Sequence, residues 1–180
     1  MINVNLKDIK VGNGTNSGVS SKDLTWDVVD AGTYPATMVI VYPWKSLTRD
    51  TNVRIKDENG RYVKDNNGKF ITEFTKDVTW FNTDVVFKIN GGEFDNHAVK
   101  MSLSTHPNMV GSAKQFLYRM GLLNVSLDDL KDHIGANGII EVKTKDETFV
   151  DKTTGLEKTI TKSYVSYVHE ADTIADDLGI

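Results

Sequence analysis

Apolar and polar residues alternate over most of this chain, and the alternation breaks once. Val99, Met101 and Leu103 alternate with Lys100, Ser102 and Ser104, the period of a half-buried strand. The period then changes. Ala113, Phe116, Leu117 and Met120 fall on one face at helical spacing, and Gly121 stands where a helix would end. Ser126 followed by Asp129 reads as an N-cap signal for a second short helix carrying Leu127, Leu130 and Ile134, closed by Gly135. Ile140 and Val142 begin a new strand. A single helical block therefore interrupts an otherwise β-patterned chain.

Upstream of that block, Gly32 precedes Tyr34 to Tyr42, an apolar run suited to a strand covered on both faces and ended by Pro43. Between Val78 and Ile89, Phe81, Val85, Phe87 and Ile89 share one face, which belongs to the core. Trp80, Asn82, Asp84 and Lys88 share the other. Gly91-Gly92 makes a turn. Downstream, Ile139 to Thr148 and Thr159 to Val168 are predicted strands joined through Asp151 to Gly155. Ile2, Val4 and Leu6 alternate as in an edge strand or arm, and Gly12 to Ser21 has linker composition. The predicted organisation is an arm and linker over 1–25, one folded domain over 26–169 and a tail over 170–180. No internal repeat stands out.

Composition changes this picture little. The chain has 180 residues, 39% hydrophobic and 26% charged, the profile of an ordinary soluble globular domain. The longest apolar run is far too short to span a membrane, and the N-terminal stretch lacks the apolar centre of a signal peptide. The absence of cysteine excludes disulfides and thiolate chemistry, and fits a reducing cytoplasm.

Charge changes it more. The net charge is −4, yet the polar, turn-rich stretch from Lys45 to Lys76 holds eight cations against five anions. Asp57-Glu58-Asn59-Gly60 and Asn66-Asn67-Gly68 are predicted hairpin turns within it. Aromatic residues Trp44, Tyr62, Phe70 and Phe74 are interleaved with cations that include Arg54, Lys56, Arg61 and Lys64, and Trp80 and Lys88 extend the pattern along the adjoining strand. Cations that track phosphates, together with rings on which bases stack, are what single-stranded nucleic acid requires. The competing reading is that the rings pack beneath a long hairpin and the lysines only solvate it. Tyr164 and Tyr167 point to opposite faces of the last strand, one toward a groove and the other toward the core. Lys114 and Arg119 read as solvated positions unless the fold sets them beside the groove. Lys143 and Lys145, beside Glu141, read as a solvated strand face with phosphate contact as the alternative.

Other chemistry is weakly supported. His97, His106, His133 and His169 show no ligand spacing, and Asp128-Asp129 and Asp176-Asp177 read as helix-terminal and tail charge. No Gly-Lys-Ser/Thr phosphate loop and no Gly-x-Ser-x-Gly elbow is present. No cofactor or metal is expected. A nuclease whose scattered carboxylates assemble only in space stays open as an alternative, as does a structural β-barrel protein of a phage.

Five strands with a helical element between the third and fourth have the layout of an oligonucleotide-binding barrel, in which the helix covers one end of the core. The basic Lys45–Lys76 hairpin elaborates its first turn. A β-sandwich is the competing architecture, with no need of a helical block at that position. The chain from Gly32-Thr33-Tyr34 to His169, with Val86-Phe87-Lys88-Ile89, Phe94, Lys114-Gln115-Phe116-Leu117, Gly121-Leu122 and the acidic end, resembles bacteriophage single-stranded DNA-binding proteins of the oligonucleotide-binding fold. The Gly12–Ser21 linker and the basic insertion have no counterpart in a minimal five-stranded barrel. The resemblance implies sequence-independent binding of single-stranded DNA in phage replication, recombination or repair, in the host-cell cytoplasm. The DNA-binding residues expected from this reading are Trp44, Arg54, Lys56, Arg61, Tyr62, Lys64, Phe70, Trp80 and Lys88. Glu170, Asp172, Asp176 and Asp177 lead into Leu178-Gly179-Ile180, an acidic end expected to be disordered. A tethered anionic tail can compete with DNA for a cationic groove. The resemblance implies a tail of this kind, which can dock replication or recombination proteins. The competing reading is a solubilising end.

Overall fold

The strand periods become six strands. The computed structural model describes residues 19–170, and within them the chain is mainly β. The strands are β1 (Gly32–Val41), β2 (Lys45–Arg54), β3 (Thr72–Ile89), β4 (Ala98–Ser104), β5 (Asn137–Val150) and β6 (Glu157–His169). One α-helix, α1 (Val110–Arg119), and a 3-10 turn at Leu130–His133 lie between β4 and β5. The readings made for the N-terminal arm and for the tail past Glu170 lie outside the described residues.

The six strands form one sheet in the order β1-β5-β6-β4-β3-β2, and β1 also pairs with β3. Five strands therefore close a ring of hydrogen bonds, with β2 outside it, bonded to β3 alone. The ring closes through a parallel pairing of β4 with β6 at Lys100 and Tyr164. A parallel pair cannot be joined by a tight turn, and the chain between them runs through α1, the 3-10 turn and β5.

The main core draws Met38 from β1, Val85 and Phe87 from β3, Val99 and Leu103 from β4, Ile140 and Val142 from β5, and Val165 and Val168 from β6. The helical stripe is buried as expected, with Ala113, Phe116, Leu117 and Met120 in the same cluster. Gly121, at φ +71°, ends α1. Its N–H bonds Tyr118 O and the Leu122 N–H bonds Leu117 O, the double bond of a left-handed helix stop. Met120 then sits so close to Gly138 that a Cβ there would lie 2.8 Å from its sulfur, and any larger residue would have to displace the end of that side chain.

The second predicted helix is only the 3-10 turn Leu130–His133. Ser126 does not cap it: the N-cap is Asp129, without a side-chain bond. The Ser126 hydroxyl instead closes the preceding turn by donating to Asp129 Oδ2 at 2.7 Å and accepting the Asp129 N–H. Leu127 and Leu130 are fully buried from this non-α conformation.

β1 is covered on both faces, as its apolar run implies. Met38 and Val41 join the main core, while Val39 and Ile40 enter a second cluster with Leu24, Val86 and Ala98 on the opposite face. Leu24 belongs to the segment read as linker. The 3-10 turn Ser21–Asp23 is closed by a Ser20–Asp23 capping box, and Thr25 pairs with His97, so the folded body begins before Trp26. The outer face of the ring thereby acquires an apolar patch, with Val86 beneath Leu24, that alternation along β3 alone assigned to solvent.

Candidate nucleic-acid interface

The basic insertion folds from its own turns. Residues 56–63 read Lys-Asp-Glu-Asn-Gly-Arg-Tyr-Val and residues 64–71 read Lys-Asp-Asn-Asn-Gly-Lys-Phe-Ile, an eight-residue tandem repeat that the absence of any obvious period concealed. Each copy makes the same turn. Asp57 Oδ1 accepts the N–H groups of Asn59 and Arg61, and Asp65 Oδ1 accepts those of Asn67 and Lys69. Gly60 and Gly68 both take φ +77°, a conformation in which a side chain would be strained. Ile55, Val63 and Ile71 then bond one another head to tail in a three-membered backbone ring.

Two rings of the insertion, Tyr62 and Phe70, are occupied by its own cations, while Phe74 is 63% exposed. Tyr62 and Phe70 meet edge to face at 5.8 Å. The Arg54 guanidinium lies 4.3 Å from the Phe70 centroid and 5.6 Å from that of Tyr62, Lys56 covers Tyr62 at 5.1 Å, and Lys64 covers Phe70 at 4.8 Å. The Tyr62 hydroxyl donates to Pro107 O, and Asn108 Oδ1 accepts the Arg54 N–H, so the insertion is seated on the loop between β4 and α1. Arg61 is exposed at the tip of the first turn. Tyr62 and Phe70 are thus half-buried, cation-covered rings and not open stacking platforms.

Trp44 requires a correction. It is only 5% exposed and packs in the main core, because the chain turns inward after Pro43. It offers no face to a base. Trp80 lies on the outer face of β3 as expected, half-buried, with the His106 ring edge-on at 4.6 Å. His106 accepts the Asn108 N–H at Nδ1, and burial holds its pKa below the ordinary value. With its amide turned to satisfy Phe81 O and Ser104 Oγ, Asn82 accepts the Trp80 indole N–H at 3.3 Å. Lys88 shares this face by register, opposite Ala98, but the Leu24–Val86 cluster separates it from Asp84.

The structure assembles a different constellation on the outer face. A cleft of about 460 Å³ is lined by Tyr42, Pro43, Lys45, Asn82, Asp84 and Lys100. A second, of about 280 Å³, is lined by Trp26, Asp27, Lys100 and Lys162 among others. Lys100 borders both. Its ammonium is 5.5 Å from the Trp26 ring and 5.4 Å from the Tyr42 ring. Trp26 is 43% exposed and held by a 2.8 Å bond from its indole N–H to Ser21 O.

Beyond Lys100 the face continues onto the β5–β6 ribbon. Register places Tyr164 beside Lys100 and opposite Lys143, then Lys145 opposite Lys162, Glu147 opposite Ile160, and Phe149 opposite Lys158. Residues paired across antiparallel strands share a face. One side of the ribbon therefore carries four lysines with Tyr164 and Phe149, while the reverse side carries Asp146, Glu157 and a row of threonines without a cation. Lys145 lies over Tyr164 at 5.8 Å. Glu147 sits between Lys145 at 2.7 Å and Lys162 at 2.5 Å, and hydrogen bonds from these two ammonium groups lower its pKa to about 2. Hydrogen bonds from Lys158 and from two backbone N–H groups hold the Asp151 carboxyl below its ordinary range, and Lys143 does the same for Glu141.

Two further sequence readings change. Tyr167 does not enter the core. It lies under the Arg119 guanidinium at 3.8 Å, so neither residue is simply solvated. Lys143 and Lys145 are solvent-exposed, as read, and share a face with Lys158, Lys162 and Glu147. Trp26, Tyr42, Lys100, Lys158 and Lys162 were not singled out by sequence reasoning. Only Lys100 carried a signal, as the polar member of an alternating strand, and nothing in sequence joins it to Trp26. Among the described residues no group of three His, Asp or Glu side chains is placed to hold a metal ion, and no helix is long and apolar enough to cross a membrane. Searches against family models, curated proteins and solved structures give no match to this chain.

Proposed function

We propose that this protein binds single-stranded DNA without sequence preference, along the outer face that runs from Trp80 through Tyr42, Lys100 and Trp26 to the β5–β6 ribbon. The observation that carries this reading is the partition of the ribbon, with four lysines and two aromatic rings on the side continuous with Lys100 and no cation on the reverse. Phosphates would compete with Glu141, Glu147 and Asp151 for this row. The exposed Phe149 ring beside it can accept any base, because every base has a π-face.

The strand arrangement supports an oligonucleotide-binding barrel as the finer description of the fold. Five strands in a closed ring, one parallel closure and a helix before the fourth ring strand are features of that architecture. In such a fold the face of the second and third ring strands, here β3 and β4, and the loops beside it are the usual nucleic-acid surface. The acidic segment 170–180 is proposed to compete for this face as a tethered anion and to recruit replication or recombination proteins in a phage-infected cell.

Fluorescence titration with single- and double-stranded oligonucleotides of one sequence tests the reading. Tighter binding of the single strand is expected, with log affinity falling linearly with log salt at roughly 0.7 per phosphate contacted. Equal or absent binding overturns it. Magnesium-dependent cleavage of the oligonucleotide would instead establish a nuclease.

A further inference from the structure

We infer that Trp26, Lys100 and Tyr42 form a nucleotide slot in which a base displaces the Lys100 ammonium from the rings and the ammonium moves to that nucleotide's phosphate. The inference rests on the single-stranded DNA reading and adds to it one defined subsite. Its basis is geometric. Lys100 is the shared wall of two clefts, and its ammonium lies at nearly equal distance from two aromatic rings contributed by separate segments.

Each part of this arrangement suits exchange. Lys100 makes no ion pair among the described residues, and its ammonium lies over the two rings instead. Attraction of a cation to an exposed ring is weak, while a nucleotide supplies better partners for both, a π-face for the ring and an oxyanion for the ammonium. The Trp26 ring does not need to be ordered on binding, because its indole N–H is already anchored to Ser21 O and the neighbouring Leu24 is buried. Asp84, whose Oδ1 accepts the Ser102 hydroxyl at 2.6 Å, and Asn82 stand along the same cleft as polar groups for a base edge.

The test titrates a fluorescein-labelled oligothymidylate with the full-length protein and with W26A, W26F and K100Q, alongside thermal melts. Loss of a stacked ring in W26A should weaken binding roughly 5- to 100-fold with an unchanged salt slope, and W26F should recover most of it. K100Q should reduce the salt slope by roughly 0.7. If wild type binds and W26A and K100Q bind identically to it, the slot is refuted while the general reading stands. The slot is also refuted if W26F binds as poorly as W26A or if the loss tracks a lowered melt. Wild type that does not bind the oligonucleotide overturns both.

Discussion

Two regions of this molecule combine lysines or arginines with aromatic rings, and they do so to opposite ends. In the insertion, Arg54, Lys56 and Lys64 cover Tyr62 and Phe70, the rings meet edge to face, and the Tyr62 hydroxyl is bonded to Pro107 O. All of this comes from one contiguous stretch and its seat, so the chemistry of these two rings is spent internally, and of the insertion's rings Phe74 is left exposed. On the outer face, Trp26, Tyr42 and Lys100 come from three separate segments and border open clefts, with Tyr164 of a fourth segment beside Lys100. The comparison teaches that interleaved cations and rings along a sequence are as suited to sealing a small fold as to binding a ligand. What separates the two cases is whether the rings find partners nearby in the chain.

The largest effect is expected from removing a ring with internal partners, the core ring of Trp44, and setting it against the exposed ring of Trp26. Trp44→Ala should lower stability by about 3–5 kcal/mol, because it empties a core site, and the protein that stays folded should bind DNA as before. A variant that melts like wild type but binds DNA poorly would return Trp44 to the interface. Trp26, more than a third exposed, is expected to show the reverse pattern.

Arg54→Ala probes the insertion itself. Losing a partly desolvated cation shared by two rings should destabilise the protein by about 1–2 kcal/mol, with only a small change in DNA affinity. Paired melts and titrations check this. An unchanged melt with a large loss of affinity would show that the insertion is a binding arm after all.

The smallest expected effect belongs to the ribbon. Glu147→Gln frees Lys145 and Lys162 from their shared carboxylate, and single-stranded DNA binding should tighten modestly at low salt. The salt slope should steepen by roughly 0.7 for each lysine newly engaged. Glu147 is depressed to about 2 in the folded protein, below its unfolded value, so its ion pairs are fully present above the ordinary carboxylate range and are lost as pH falls through about 2. Wild-type affinity near neutral pH should therefore show no titration from this group. A binding change as pH falls from neutral toward 5 that disappears in Glu147→Gln would contradict that assignment.

The sequence by itself determined what depends on local period and local turns. Phe81, Val85, Phe87 and Ile89 pack on the main core, Ala113, Phe116, Leu117 and Met120 form the buried helical stripe, and Gly121 stops the helix. Each of these follows from a two- or 3.6-residue spacing, or from a backbone angle that glycine adopts without strain. The Asp-x-Asn-Gly turns were legible for the same reason, although their tandem repetition was not recognised. Only the tertiary structure decided which rings see solvent. Alternation assigns residues to two faces but does not say what covers either face. Leu24 arrives from before β1 to bury Val86, the chain after Pro43 turns Trp44 inward, and the anchored Trp26 is left beside Lys100. Exposure is a property of packing between segments distant in sequence, so the candidate interface became visible only once the ring of strands brought those segments together.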